Sequence, residues 1–133
     1  MQLNRNDLNF RSECSISCAL EILGDRWTLI IIRDALFANS TSFGQFRASP
    51  EKIASNILTD RLEKLVKYGI MEKNKNAGNK LKFDYTLTER GQQLKPVLFA
   101  IGKWGSVNIE GTKDVKEQIK KYKKLKNKKS TSN

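Results

Sequence analysis

One stretch constrains the fold more than any other: IASNILTDRLEKLVKYGIMEKNKNAGNKLKFDYTL, residues 53–87. Its apolar residues change period partway along. Leu58, Leu62 and Leu65 recur at helical spacing, with Ile57 and Val66 beside them, and Gly69 stops the run. Asn56, Thr59, Asp60, Glu63, Lys64 and Lys67 are left on the outer face. After Gly69 the period becomes that of a strand. Leu81, Phe83, Tyr85 and Leu87 share one face, and Lys80, Lys82, Asp84 and Thr86 alternate with them. The NAGN between the lysine-rich arms is a turn signal. An amphipathic helix therefore leads straight into a β-hairpin.

The residues before this stretch read as helices. CSISCALEIL, residues 14–23, carries Ile16, Ala19, Leu20 and Leu23 at amphipathic spacing, and Cys18 falls beside Ala19 and Leu20 on the side taken to face the core. Gly24 sits where that helix stops and Asp25 where the next is capped. The Ile30-Ile31-Ile32 run has strand propensity, but residues 26–38 continue without a turn signal, longer than most strands. They are expected to form a helix buried almost all round. Thr41 or Ser42 can cap a brief helix bearing Phe43 and Phe46, which Ser49-Pro50 ends. After the hairpin, Thr88 caps a long helix whose stripe is Leu94, Val97, Leu98, Ile101, Trp104 and Ile109. Pro96 should kink it or divide it in two.

Composition narrows the chemistry. The 133 residues suit one domain. There is no histidine, so a Ser-His-Asp or Cys-His catalytic arrangement is excluded, as is a zinc site with histidine ligands. Cys14 and Cys18 are the only cysteines, too few for a tetrahedral metal site or a disulfide scaffold. No dinucleotide or phosphate-loop glycine motif is present. No enzyme, metal or cofactor is expected. No apolar run reaches the ~20 residues of a membrane span, and residues 1–13 lack the apolar centre of a signal peptide. A cytoplasmic protein without membrane partners is expected. The net charge is +11, distributed unevenly. Residues 113–133 hold nine lysines and two acids, and residues 1–112 hold sixteen bases and twelve acids. The tail is expected to be partly helical or disordered, and either a solvated end or a non-specific polyanion holder.

The order helix, helix, short helix, longer helix, hairpin, helix defines the expected class. It is mainly α with a small β-hairpin: a winged helix-turn-helix, with residues 1–112 as one domain. The chain also resembles a known family. CALEILGDRWTLIIIRDALF is similar to the opening block of the HxlR-type bacterial transcriptional regulators. SFGQFRASPEKIASNILTDRLEKLVKYGIMEK resembles their central block, and YTLTERGQQLKPVLFAIGKWG their closing one. The three blocks occur in the family's order between Cys14 and Gly105, although Ser15 stands where the family has proline after its first cysteine. The resemblance implies a dimeric regulator of double-stranded DNA, often a repressor, that senses oxidants, electrophiles or other small signals. It implies a reading helix in the major groove, a wing on flanking DNA, and dimerisation through the first and last helices.

Residue by residue, Ser55, Asn56, Thr59 and Asp60 are the candidates for base contacts, since asparagine pairs bidentately with adenine and hydroxyls serve several bases. Arg61 and Lys64 are candidates for phosphate, with Thr41 and Ser42 donating to it from the short helix. Lys73, Lys75, Lys80 and Lys82 would arm the wing, or would guard its edge against aggregation. Leu8, Phe10, Ile16, Leu98, Ile101 and Trp104 are the candidate dimer interface. Cys14 is the first candidate for a thiol switch, because a helix N-terminus stabilises a thiolate, and Cys18 is its rival. A disulfide between them is disfavoured, since parallel Cβ vectors on one helix resist the ~90° dihedral. Oxidation would instead join subunits or add a small thiol. The alternatives are silent cysteines in a constitutive or small-ligand-controlled DNA-binding protein, and an RNA-binding or adaptor winged helix.

Overall fold

A computed structural model describes residues 2–121 and residue 124. Among the described residues, the elements run in the order α1 (Ser15–Leu23), α2 (Thr28–Phe37), α3 (Phe43–Arg47), α4 (Ser55–Lys67), β1 (Met71–Lys75), β2 (Phe83–Leu87), α5 (Glu89–Gln92) and α6 (Lys95–Asn108). Residues 115–121 are again helical. The expectation for the tail, residues 113–133, falls largely on residues 122, 123 and 125–133, which lie outside the described residues.

The core gathers around α4. Leu58, Leu62 and Leu65 are fully buried against Ile31 and Ile32 of α2, Phe46 of α3, and Ile53, Ile70 and Met71. Each such side chain contributes about 1.5–3 kcal/mol of burial free energy. The isoleucine run is helical because α2 is covered by the core cluster and β2 on one side and by α6 on another, where Phe99 meets Phe37 edge-on with ring centroids 5.5 Å apart. A strand there would have needed partner strands that this topology does not supply.

Local signals fix the element ends. The Asp25 carboxylate accepts from the amides of Trp27 (3.0 Å) and Thr28 (3.1 Å) and from the Thr28 hydroxyl, capping α2 from outside its first turn. Ser42 caps α3 in a reciprocal box. Its hydroxyl accepts from the Gln45 amide, and the Gln45 side chain accepts from the Ser42 amide. At the end of α4, Gly69 adopts φ +71°, the Gly69 amide donates to Val66 and the Ile70 amide to Leu65, a Schellman closure. The expected long last helix is in fact two: α5, capped by Thr88, and α6, with Pro96 in its first turn.

Two expectations need correction. Leu81 does not belong to the hairpin's apolar face. It lies in the turn, 91% exposed, outside β2. Lys80 and Lys82 are outside the strands too. The asparagines explain why: the Asn76 side chain accepts from the Gly78 and Asn79 amides, and the Asn79 side chain accepts from the Leu81 amide. The turn is therefore longer than period-two patterning suggested. Second, α1 has no buried residue. Ala19 and Leu20 are exposed, and Ile22 and Leu23 are the residues that pack on the core. Cys18 is half-buried, and its thiol donates to the Ser12 carbonyl (3.1 Å) rather than filling the core.

The sheet has two antiparallel strands, with Met71 opposite Leu87 and Lys75 opposite Phe83. A bridge between Ser42 and Asp84 adds a third edge, closed by the Tyr85 amide donating to the Thr41 carbonyl at 2.8 Å. This bridge sets the hairpin against the entrance to α3. Among the described residues no helix is long and apolar enough to cross a membrane.

Candidate nucleic-acid interface

The α3–turn–α4 unit presents one polar face. Ser55, Asn56, Thr59, Glu63 and Lys64 are exposed along α4. Ala54 precedes α4 with no side-chain cap, so the first amides of this 13-residue helix point outward without a side-chain acceptor. The Thr59 hydroxyl donates back to the Ser55 carbonyl at 2.9 Å, which fixes its rotamer and leaves its oxygen as an acceptor. Ser55, Asn56 and Thr59 thus share one accessible patch.

The charged residues of α4 behave differently from the expectation. Arg61 is turned inward. Its Nε donates to Asp25 Oδ2 at 2.8 Å and its Nη1 pairs with Asp60. Its side chain is only 23% exposed. A phosphate contact by Arg61 would compete with these partners, so the structure assigns it to bracing. Asp60 is likewise held by Arg61 and by Lys64, whose Nζ lies 3.3 Å from it. Desolvation works against the Asp60 charge, but the bonds from Lys64 and Arg61 outweigh it and keep the carboxyl below its usual range. Of the expected phosphate contacts on α4, only Lys64 remains on the open surface. Thr41 and Ser42 are engaged with Gln45, Ser42 as the cap and Thr41 through its amide (2.8 Å).

Two ion-pair networks flank the unit, and neither was anticipated. In the first, burial works against the charge of Asp25, but hydrogen bonds from Thr28, Arg61 and the Trp27 amide outweigh it and bring its pKa to about 2. The second lies beneath the α3–α4 turn. Arg33 donates to both Glu51 oxygens at 2.8 and 2.7 Å, to Asp34 at 2.9 and 3.0 Å, and to Ser49 at 3.2 Å. The Arg33 bonds lower the Glu51 pKa to about 2, while burial raises that of Asp34. The only sequence signal for either network was an acid at a cap position and a base on an otherwise apolar helix. Arg47 and Lys52 are further cations at the turn, outside the expected set.

The wing lies beside this face. Lys73 and Lys75 are exposed on β1, and Lys73 Nζ sits 4.2 Å from the Phe83 ring centroid. Lys80 and Lys82 are exposed in the turn. The Asn76 amide donates to Lys82 (2.9 Å) and the Lys82 amide to Asn79 (3.0 Å), which holds the tip in one shape.

The candidate dimer residues fall into two groups. Ile16 is 70% exposed, Ile101 51% and Trp104 65%. Leu8 is half-buried, as is Phe10, and Leu98 packs on the core. Cys14 is exposed at the start of α1, where the Ser17 and then the Ile16 amide lower its thiol pKa below the ordinary value. No cluster of three or more candidate metal ligands occurs among the described residues.

Comparison with known proteins agrees with this architecture. Residues 22–113 match the profile of the HxlR-like helix-turn-helix family. The HTH-type transcriptional regulator Rv3095 of Mycobacterium tuberculosis is 36% identical over 101 residues, 75% of this chain. The match spans 63% of that relative's length. Among solved structures, PA1607, described as a transcription factor, is 34% identical, with a TM-score of 0.72 over 81% of this chain and 75% of that one. The reduced form of the transcriptional regulator YodB from B. subtilis is 26% identical, with a TM-score of 0.60 over 77% of this chain and 100% of that one. YodB has also been solved bound to quinone, where 68% of this chain and 93% of that one align with a TM-score of 0.55 at 26% identity. On the extent of the profile match and the identity to Rv3095, the chain belongs to the HxlR-like helix-turn-helix family, a family of transcriptional regulators.

Proposed function

We propose that the chain is a cytoplasmic regulator that binds a duplex operator as a homodimer and represses by occupying it. The observation that carries this reading is the placement of the bare polar face of α4 beside a wing that the Tyr85–Thr41 bridge holds at the entrance to α3. Ser55, Asn56 and Thr59 read base edges in the major groove. Lys64, Lys73, Lys75, Lys80 and Lys82 contact phosphate, with Arg47 and Lys52 beside them, and the uncapped amides of α4 add neutral donors. Ile16 and Trp104 form the apolar centre of the dimer, extended by Leu8 and Phe10. Two copies then place their reading helices about one turn of DNA apart, ~34 Å, on a pseudo-palindromic site.

Cys14 is the sensor in this reading. Its exposure and lowered pKa favour the thiolate that oxidants and quinones attack, and the quinone-bound form of YodB supports that class of signal. With Cys18 turned toward the Ser12 carbonyl, the oxidised partner of Cys14 is a second subunit or a small thiol.

Fluorescence anisotropy with the chain's own upstream DNA, a random duplex and an RNA tests the proposal. Specific duplex binding should exceed the other two and fall by at least about tenfold between roughly 50 and 200 mM salt. Asn56→Ala should weaken specific binding more than random-duplex binding. Equal affinity for all three nucleic acids, or indifference to salt, overturns it.

A further inference from the structure

Between α2, α6 and the helical residues 115–121 lies a half-open cavity of about 710 Å³. Its walls are apolar: Leu29, Ile30 and Phe37 from α2, Leu98 and Ile101 from α6, and Ile119 from the last segment. Gly102 allows the close approach of that segment, because Val115 occupies the space a side chain on Gly102 would need. Gly105 leaves the wall open, since a Cβ there would meet nothing within 4 Å. The charges around the cavity do not balance. Asp25 and Glu51 are already answered by Arg61 and Arg33. Arg26, Lys113 and Lys121 also line it and make no ion pair among the described residues.

We propose that this cavity binds an amphipathic organic anion, an apolar body ending in one carboxylate or sulfonate. The volume lies within the ~300–1,000 Å³ usual for small-molecule sites, and such sites are mostly apolar with few placed polar groups. The apolar walls take the body, and the surplus cations take the charge. The site also touches both braces of the reading unit: Asp25, which holds Arg61 of α4, and the Arg33–Glu51 pair under the α3–α4 turn. A bound anion therefore acts on DNA affinity. This regulatory part rests on the DNA-binding reading of α4 and the wing, whereas the binding itself does not.

The probe is anilinonaphthalenesulfonate, titrated by fluorescence, with decanoate as competitor. Saturable binding at one site per chain, displaced by decanoate, is expected. Gly105→Phe fills the open wall and should weaken binding at least about tenfold while thermal unfolding stays as in the parent. Arg26→Glu with Lys113→Glu, both exposed, should weaken it several-fold without touching the core. Val107→Ser, on exposed α6 surface outside the cavity lining, should leave it unchanged. The site is overturned if folded Gly105→Phe binds like the parent, or if Val107→Ser removes binding, which would place the probe on the outer stripe. It is also overturned if binding vanishes as the protein dimerises, which would make a second copy the occupant. Unchanged affinity in the charge-reversed variant overturns the choice of an anion. Decanoate should shift operator affinity in the parent and not in Gly105→Phe. No shift with intact probe binding overturns the regulatory part alone, and absence of operator binding in every protein tells instead against the proposed function.

Discussion

Replacing Asp25 with alanine removes two supports at once, and the structure allows them to be separated. Asp25 caps α2 through the Trp27 and Thr28 amides, and it anchors α4 through Arg61 Nε at 2.8 Å. Loss of a side-chain cap costs about 1 kcal/mol. The ion pair is one-quarter to one-third exposed on both sides, so its contribution is about 1 kcal/mol, above a surface pair and below a buried one. Asp25→Ala should therefore destabilise by about 2 kcal/mol, and Arg61→Ala by about 1 kcal/mol. The same bonds set the carboxyl's pKa. A folded value of about 2 lies below the ordinary value of 3.8. The stabilisation is then fully present above about pH 4 and is lost as pH falls toward 2. Undiscounted, the shift corresponds to about 2.4 kcal/mol, and exposure reduces it to about 1–2 kcal/mol, in line with the cap and the ion pair together. Asp34 titrates with the opposite sign, because its raised pKa favours the folded state on the acid side. Glu51 and Asp60 titrate with the same sign as Asp25, so the parent's total pH profile mixes all four, and the comparison must be parent against Asp25→Ala. Urea unfolding at one fixed protein concentration, at pH 7 and again at pH 3, reads the difference. A deficit of about 2 kcal/mol at pH 7 that shrinks at pH 3 fits. A deficit below about 0.5 kcal/mol, or one independent of pH, refutes the brace.

Three further outcomes are expected. Leu62→Ala, at the centre of the core, should destabilise by about 3 kcal/mol in the same urea assay, because α2 and α4 cannot close the gap. Trp104→Glu should convert a dimer to a monomer in sedimentation velocity while changing chain stability by no more than about 0.5 kcal/mol, since the indole is 65% exposed. Cys14→Ser should resist diamide on non-reducing gels or by intact mass, whereas Cys18→Ser should react like the parent. Equal modification of the two variants removes Cys14 as the sensor.

The amphipathic pattern of α4 was legible because one face meets the core and the other meets water, the condition in which period reports structure directly. The caps at Asp25, Ser42 and Thr88 were legible for a similar reason, being local chemistry within three residues of the group they satisfy. The break before α6 came from Pro96 alone. Leu81 misled because its alternation continued the strand pattern. Asparagine side chains closed the turn later than the lysines suggested, and period carries no record of side-chain-to-backbone bonds. Burial on α1 was misjudged because its apolar residues outnumber those one monomer covers. The pairing of Arg61 was not legible because an arginine on a polar helix face reads as exposed until its partner, 36 residues earlier in the chain, is placed beside it.

That long-range pairing explains how the α3–turn–α4 unit holds its shape without a glycine in its turn. The turn between α3 and α4 contains no glycine, and Lys52 within it adopts φ +60°, a conformation unfavourable to a side chain. Its backbone bond, the Lys52 amide to Ser49 at 3.0 Å, is not by itself enough to enforce such a geometry. Arg33 supplies the rest: from α2 it grips Ser49 and Glu51 within the turn and Asp34 on its own helix. Asp25 does the same for α4 through Arg61. The turn and the middle of α4 are thus fastened to α2 and to the residue that caps it, by charged groups that are themselves partly shielded from water. The same α2 surface lines the cavity, so the parts that fix the angle of α4 are the parts a bound anion would touch. The polar residues Ser55, Asn56 and Thr59 on the outer face of α4 can then remain bare of partners from other elements among the described residues, because none of them is needed to hold the helix in place.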